Sequence, residues 1–376
     1  MRNEPMKKMD RKLDLTNKKI VIIYMLYFGD MVSLSPFLHV LRRAAKGSEI
    51  SLVIDSRFQE SVAYNPNVDH IIPVDRRATG MIGTWKLGRT MEKEKPDILM
   101  VLHGTTRTTC MALSMRPGFW IGEMGTKLDR FLMDQPLLVE RKNCHAADKY
   151  VRILQDLGIQ DVSYEGMELF TCPSWESAAE NFFQFHHISK MDIQTGKKKL
   201  VGFSVGSSTK EKNWPAERFG QVADILAEIG YIPVFFGVSS EKPMIEKSLS
   251  VMKHAEKAIV AAGALSMGEF MAAASWCRAA FTNDSGPMYV FDSRGVPTIS
   301  LFGPSNARLH HPLGKRSCAL ASTDMPMEQD HVRHTIRDKS YIPISSIPVE
   351  SVIRAGKWAL GLQDSDLYRN HYVVIK

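Results

Sequence analysis

The sequence predicts two doubly wound α/β units in tandem, each a parallel sheet with helices on both faces. Three observations carry that prediction. Apolar runs of strand length alternate with helical patterns along almost the whole chain, the rhythm of βαβ units. Several of these runs are apolar at every position rather than at alternate ones, as strands buried on both faces require. The series also starts afresh after Lys197-Lys198-Lys199, which places a domain change there. A chain of 376 residues, 44% hydrophobic and 24% charged, excludes global disorder and is long enough for two cores.

Residues 19–27 read as the first strand, broken at Gly29-Asp30, and Pro36 opens a helix over 35–45. Strands follow at 49–54, 70–74 and 98–102. A helix over 145–157 ends at Gly158, a C-cap signal, and another helical pattern covers 175–185. In the second series, strands are predicted at 199–205, 232–236, 279–282 and 298–302. Helices are predicted at 215–229, 267–274 and 287–294, with Gly230 and Gly295 closing the first and the last. After Pro312 the pattern degrades into polar, His-rich and Arg-rich sequence, and a last helix covers 349–360. The expected organisation is a flexible basic leader (1–18), a first domain (19–190), a second domain (197–345) and a closing helix and tail (346–376).

Five cysteines, an odd count without a C-x-x-C pair, support neither a disulfide framework nor a zinc ribbon and fit a reducing cytosol. The net charge of +7 suits an anionic partner without choosing which. The apolar run 20–28 is too short to span a membrane, and no small-x-small cleavage site follows it. The basic leader reads as a disordered cationic tail, with a weak tether to anionic lipid as the alternative.

Three polar clusters sit where strands end. Thr282-Asn283-Asp284-Ser285-Gly286-Pro287 joins a strand to a helix start, whose unpaired N–H groups and positive dipole end suit a phosphate. Asp284 or Ser285 acting merely as the N-cap is the local alternative. Gly206-Ser207-Ser208-Thr209-Lys210 leads to Lys212 and Trp214-Pro215. Its hydroxyls and lysines match phosphate oxygens, although the Walker spacing is absent and a solvated loop has the same composition. Asp30 ends the first strand, where a carboxylate either takes a proton from a hydroxyl or caps the next helix. His103, followed by Gly104-Thr105-Thr106-Arg107, lies just past another strand. His186-His187, His310-His311, His331 and His334 have no metal-ligand spacing and read as surface or core residues.

In this order the clusters resemble glycosyltransferase family nine, the heptosyltransferases of the lipopolysaccharide inner core. The resemblance rests on Gly29-Asp30 with Pro36, on Lys212-Asn213-Trp214-Pro215 with Glu217-Arg218-Phe219, and on Thr282-Asn283-Asp284-Ser285-Gly286-Pro287-Met288. Gly295-Val296-Pro297-Thr298 and Leu301-Phe302-Gly303-Pro304 extend it, over about residues 19–360. Two departures lie on the helix that should hold the donor. Tyr289 stands where the family has His, and Phe291-Asp292-Ser293-Arg294 replaces alanines.

The resemblance implies a GT-B architecture, two Rossmann-like domains facing each other across a cleft, with the last helix packing back on the N-terminal domain. It implies an inverting, metal-independent glycosyltransferase without a cofactor. The enzyme would move a sugar, heptose from ADP-heptose, to a lipopolysaccharide-core or related surface-glycan acceptor. Asp30 would be the catalytic base and Lys212 would act on the leaving group. Donor contacts would come from Ser207, Ser208, Thr209, Lys212, Asn283, Asp284, Ser285, Gly286 and Met288, and acceptor contacts from Gly29, His103 and Arg107. The expected partners are the nucleotide sugar, a lipid-linked or core oligosaccharide and an anionic membrane surface touched peripherally, with no nucleic acid. The expected location is the cytoplasm, at the inner face of the inner membrane. The alternatives are a catalytically inactive nucleotide-sugar binding protein in an assembly complex and a nucleotide-sugar epimerase on the same scaffold.

Overall fold

The structure is a computed structural model that describes residues 13–77, 79–92, 96–136, 144–327, 329 and 332–375. The chain divides into two units, Met1–Glu140 with Ala146–Glu165, and Arg141–His145 with Gly166–Lys376.

The first unit contains β1 (Lys19–Ile23), α1 (Phe28–Ser33), α2 (Ser35–Ala44), β2 (Glu49–Asp55), β3 (His70–Val74), α3 (Met81–Glu92) and β4 (Ile98–Val101). It continues with α4 (Thr106–Met115), β5 (Phe119–Gly122), α5 (Asp129–Leu132), β6 (Gln135–Pro136) and α6 (Ala146–Asp156). Its strands form one parallel sheet in the order β3-β2-β1-β4-β5-β6. The continuous apolar runs are explained by the pleat, which sends successive side chains to opposite faces. Ile20, Ile22, Ile98 and Met100 enter one core with α2 and α6, while Val21, Ile23, Leu99 and Val101 enter the other with α4.

The second unit contains α7 (Pro173–Phe185), α8 (Lys190–Gln194), β7 (Leu200–Ser204), α9 (Ala216–Glu228), β8 (Ile232–Phe235), α10 (Lys242–Leu249), β9 (Ile259–Val260) and α11 (Met267–Ala274). Next come β10 (Cys277–Asn283), α12 (Gly286–Ser293), β11 (Thr298–Phe302), α13 (Ala307–His310), β12 (Cys318–Ala321), α14 (Val332–Arg337), α15 (Val349–Ala359) and β13 (Tyr372–Val374). Its parallel sheet runs β13-β12-β11-β10-β7-β8-β9. Phe203 stacks between Phe235 and Phe281, at 5.2 and 5.0 Å between ring centroids, and ties the three central strands together. In both sheets the strand order reverses beside the first strand, between β1 and β4 and between β7 and β10. Ligands of such sheets bind outside the carboxyl ends of those strands.

Four expectations need correction. The first strand ends at Ile23, and Gly29-Asp30 lies inside α1 rather than breaking a strand, because the Asp30 carboxylate accepts the Tyr27 N–H at 3.2 Å and starts a helical turn. Residues 13–18 belong to the fold: Leu15 is buried in the first core, and the Ser48 hydroxyl donates to its carbonyl at 2.5 Å; the rest of the expected leader, residues 1–12, lies outside the described residues. The segment from Gly166 belongs to the second unit, since Phe183 of α7 packs on Trp276 at 4.8 Å and Trp175 covers Gly268.

The closing helix, expected on the N-terminal domain, is built into the core of its own unit. Val352, Ala355 and Trp358 of α15 join the core formed by Phe203, Trp214 and Phe281. Gly356 lets α15 approach β10, because a Cβ there would lie 2.5 Å from Cζ of Phe281. The degraded region after Pro312 supplies two strands, β12 and β13, which extend the sheet at one edge. All five cysteines are free, and four are buried. Among the described residues, no helix is long and apolar enough to cross a membrane, and no group of three or more His, Cys, Asp or Glu is placed to hold a metal ion.

The α15–β10 contact makes a direct prediction. Gly356→Val should lower the free energy of unfolding in denaturant by about 1–3 kcal/mol, the usual cost of overpacking. Adding Phe281→Leu should recover part of that loss; strict additivity of the two changes would mean that they do not touch.

Candidate active site

At the switch point of the second unit, three segments meet on one amide. Asn283, the last residue of β10, is fully buried. Its Nδ2 donates to the Val205 carbonyl just past β7 at 2.8 Å, and its Oδ1 accepts the Trp214 N–H at 3.0 Å. Trp214 in turn donates Nε1–H to the Ile347 carbonyl at 3.0 Å. The loop between β7 and α9 is therefore fixed at both ends. Within it, the Ser207 hydroxyl donates to the Thr209 carbonyl at 2.8 Å and the Lys212 N–H to the same carbonyl at 3.0 Å.

This holds the Lys212 ammonium over the next turn. Nζ lies 2.5 Å from Oδ2 of Asp284 and 3.4 Å from the Asp284 carbonyl, with both side chains largely buried. Burial pushes the Asp284 carboxyl up, but the charges of Lys212 and His310 and the Lys212 hydrogen bond outweigh it, so it sits below the usual carboxylate value. Directly after Asp284, Ser285 precedes α12, whose start has no side-chain cap and has Pro287 in its first turn. A lysine beside an uncapped helix start at the carboxyl ends of β7 and β10 is a cradle for a phosphate group.

Within that cradle Lys212, Asp284, Ser285 and Gly286 come together, and Ser207, Ser208 and Thr209 form the facing loop, with Ser208 exposed. Two expected contact residues face inward. Asn283 holds the loops, as described. Met288 has a fully buried side chain and its N–H is bonded to the Ser285 carbonyl at 3.1 Å, so it presents neither to the cradle. Glu241 was missed by sequence reasoning. Its carboxylate lies against Gly206 and Gly237, where an added Cβ would approach its oxygens to 1.8 and 2.4 Å. Burial pushes its carboxyl up, against a hydrogen bond from the Val238 N–H. The signal was available, because dinucleotide folds place an acidic residue after the second strand to accept ribose hydroxyls.

In the first unit, Asp30 follows β1 and His103 follows β4, the pair of strands at that switch point. Gly29 and Asp30 are half-buried in α1, and Arg107 donates from its guanidinium to the Thr79 carbonyl. Behind Asp30 lies a buried group that the sequence did not single out. Tyr24 and Tyr150 share a hydrogen bond of 2.8 Å between hydroxyls, and Lys149 bridges to Glu123 at 3.0 Å while lying 4.7 Å over the Tyr150 ring. Burial first, then Tyr150, Asp30 and Glu123, push the Tyr24 phenol well above the ordinary tyrosine value, so it stays neutral. At the end of β2, Asp55 holds Arg57 at 2.6 Å and faces Arg76 at 3.8 Å.

A sequence profile described as glycosyltransferase family 9 (heptosyltransferase) matches residues 84–340, more than half of the chain. The chain belongs to glycosyltransferase family 9. It is 25% identical over 320 residues to lipopolysaccharide heptosyltransferase 2 of Escherichia coli K12, covering 80% of this chain and 86% of that protein. The crystal structure of the glycosyl transferase family 9 from Veillonella parvula is 34% identical, with a TM-score of 0.86 over 94% of this chain and 100% of that one. The structure of E. coli ADP-heptose LPS heptosyltransferase II has a TM-score of 0.72 over 92% of this chain and 100% of that one, at 20% identity, a likeness of fold. The two Rossmann-like sheets are thus those of a GT-B glycosyltransferase of this family.

Three of the departures from the family pattern on α12, Phe291, Asp292 and Arg294, hold the helix to the rest of its unit, and Tyr289 is buried. Phe291 is fully buried and packs against Gly202, Phe236 and Phe270, and Asp292 accepts the Leu313 and Gly314 N–H groups at 2.8 and 2.9 Å. Arg294 pairs with Glu176 at 3.1 Å. These residues anchor α12 to its unit and leave the start of the helix to its own backbone.

The Lys212–Asp284 pair can be tested through folding. Lys212→Met leaves a buried carboxylate without its partner and should cost about 3–5 kcal/mol of unfolding free energy near neutral pH. The loss should shrink as pH falls through the depressed Asp284 value, because the wild-type pair is itself lost there. The double change Lys212→Met with Asp284→Asn should recover much of the stability. If the single variant unfolds like wild type, the pair is not buried as described.

Proposed function

We propose that the chain transfers heptose from ADP-heptose to a sugar hydroxyl of the lipopolysaccharide core, with inversion at the anomeric carbon. The observation that carries this is the Lys212–Asp284 pair at the uncapped start of α12, a place built to receive the charge of a departing diphosphate. The family membership and the names of the relatives support the sugar, the donor and the acceptor.

In this reading the second unit holds the donor. Lys212 and the first turn of α12 face the diphosphate, Ser207, Ser208 and Thr209 add hydroxyl donors, and Glu241 accepts from the ribose hydroxyls. The first unit holds the acceptor, with Asp30 as the base, His103 beside it, and Arg57 and Arg76 offering charge to an anionic core sugar. The acceptor hydroxyl attacks the anomeric carbon while the bond from that carbon to the diphosphate oxygen breaks. The electron pair leaves on the diphosphate and the hydroxyl proton passes to Asp30. One displacement inverts the centre. Positive charge supplied by Lys212 and the helix does the work that a metal does in other transferases, so transfer should persist in EDTA. The site of action is the cytoplasmic face of the inner membrane, where the acceptor is assembled.

The deciding experiment is Asp30→Asn. The amide oxygen still accepts the Tyr27 N–H, so α1 should survive. Transfer of heptose from ADP-heptose to a deacylated core acceptor should fall by about 10²–10⁴-fold, the usual contribution of a general base. Stabilisation of the protein by ADP in a thermal-shift assay should be unchanged. A variant that transfers at the wild-type rate would remove Asp30 from the mechanism, and UDP or GDP stabilising as well as ADP would remove the adenine donor.

A further inference from the structure

The segment that leaves β5 at the carboxyl edge of the first sheet is built in an unusual way. It reads Met124-Gly125-Thr126-Lys127-Leu128-Asp129-Arg130-Phe131-Leu132. Asp129 is fully buried and holds the segment from inside. Its Oδ2 accepts the Gly125 and Thr126 N–H groups at 2.6 and 2.8 Å and the Thr109 hydroxyl of α4 at 2.9 Å, and its Oδ1 accepts the Thr126 hydroxyl at 2.9 Å. Gly125 also lies back to back with the Gly104-Thr105 turn, since a Cβ on Gly125 would come within 2.2 Å of the Thr105 nitrogen.

A turn tied down this firmly nevertheless turns its apolar residues outward. Phe131 is 84% exposed, Leu128 67%, Met124 42% and Leu132 41%. The start of α3 does the same, with Ile82 75% exposed and Met81 and Trp85 nearly half exposed. Both segments are fastened to consecutive residues of α4, the 124–132 turn through Thr109 and α3 through Cys110, whose thiol lies 3.9 Å from the Met81 carbonyl. They therefore flank one turn of that helix. Single exposed apolar residues are ordinary, but a cluster of this kind marks an interaction surface.

The charges identify the partner. Lys127 and Arg130 are exposed beside Leu128 and Phe131, Lys86 is exposed beside Trp85, and the one carboxylate within 124–132, Asp129, is withdrawn into the fold. Large apolar side chains interleaved with cations, with no exposed acid between Met124 and Leu132 and with the exposed Asp134 beyond them turned back to accept the Trp120 N–H at 2.7 Å, fit a surface that is apolar inside and anionic at its rim. A bilayer with acidic headgroups has that arrangement. We propose that this face of the first unit docks on an anionic lipid bilayer, with Leu128, Phe131 and Ile82 entering the interface and Lys127 and Arg130 meeting phosphates. The purpose rests on the transferase reading: the turn adjoins Gly104, next to His103, so a lipid-borne acceptor would meet the same edge of the sheet that carries Asp30.

The test is sedimentation of the full chain with vesicles of equimolar phosphatidylethanolamine and phosphatidylglycerol, compared with phosphatidylcholine vesicles. Wild type should pellet with the anionic vesicles only. Leu128→Ser with Phe131→Ser, and separately Lys127→Glu with Arg130→Glu, should each weaken partition by about tenfold or more. Both should keep the thermal midpoint and the rate of transfer to a water-soluble deacylated acceptor. Equal binding of wild type to both vesicle types overturns the proposal, as does wild-type partition in both double variants. Lipid-free self-association that Phe131→Ser abolishes would assign the face to a second copy and overturn it too. Docking that responds to the variants, in a protein that transfers nothing to the soluble acceptor, would sink the transferase reading while leaving the membrane contact in place.

Discussion

The polar turns at the carboxyl edge of the second sheet depend on the side-chain amide of Asn283. Its donor and acceptor face opposite ways, so one group can hold a carbonyl past β7 and an N–H before α9 at once. Because the amide is fully buried, neither partner can exchange it for water, and losing it would leave a buried carbonyl and a buried N–H unsatisfied. An aspartate there could accept from Trp214 but could not donate to Val205. Every other group in the cradle is placed relative to this bond. It fixes where the 206–213 loop starts and ends, hence where Lys212 reaches, hence which turn its ammonium covers.

The charge arrangement follows from that placement. Without a ligand, Lys212 has a carboxylate partner, and the buried site carries a closed pair rather than a lone cation, which would be costly to desolvate. In the proposed reaction, a diphosphate at the start of α12 would add negative charge next to Asp284. The lysine would then lie between two anions, and its stabilising effect would grow as charge collects on the leaving oxygen, the condition for a group that acts on the transition state rather than on the bound substrate. The charge of His310 also lowers the Asp284 carboxyl.

Most of the fold could be read from residues that are buried on both faces. The runs at 199–205 and 298–302 carry, besides Lys199 at one end, only small hydroxyl residues that can be buried (Ser204, Thr298 and Ser300), and they form strands. The misreadings come where local sequence and tertiary contact disagree. β13 is three half-buried residues, and only pairing with β12 makes it a strand. The apolar stripe of α15 was visible, but a stripe does not name its partner; Gly356 against Phe281 does, and that is a contact far apart in sequence. The site divides in the same way. Lys212 and the turn at 284–286, singled out separately in the sequence, lie together in the structure. That the Asn283 and Met288 side chains turn inward was not legible, because a motif records that a residue type is needed and not which way it points. The Tyr24–Tyr150–Lys149–Glu123 group was passed over because its members lie far apart in the sequence and meet only in the fold.

The helix α12 shows how one element serves two demands without conflict. Its first turn has no side-chain cap from Ser285, which leaves it open to the ligand of the proposed reaction. A helix start left open loses a stabilising interaction, worth on the order of 1 kcal/mol, and the rest of the helix has to be held from elsewhere. Phe291 fills the space above Gly202, Asp292 ties the chain at 313–314, and Arg294 reaches Glu176 of α7. Phe291, Asp292 and Arg294, which depart from the family pattern, therefore anchor the helix from behind, while Tyr289, the departure next to Met288, is buried in the turn before them. Substitution at the three anchoring positions changes how firmly the start of the helix is held, while its backbone N–H groups are ones that any sequence supplies.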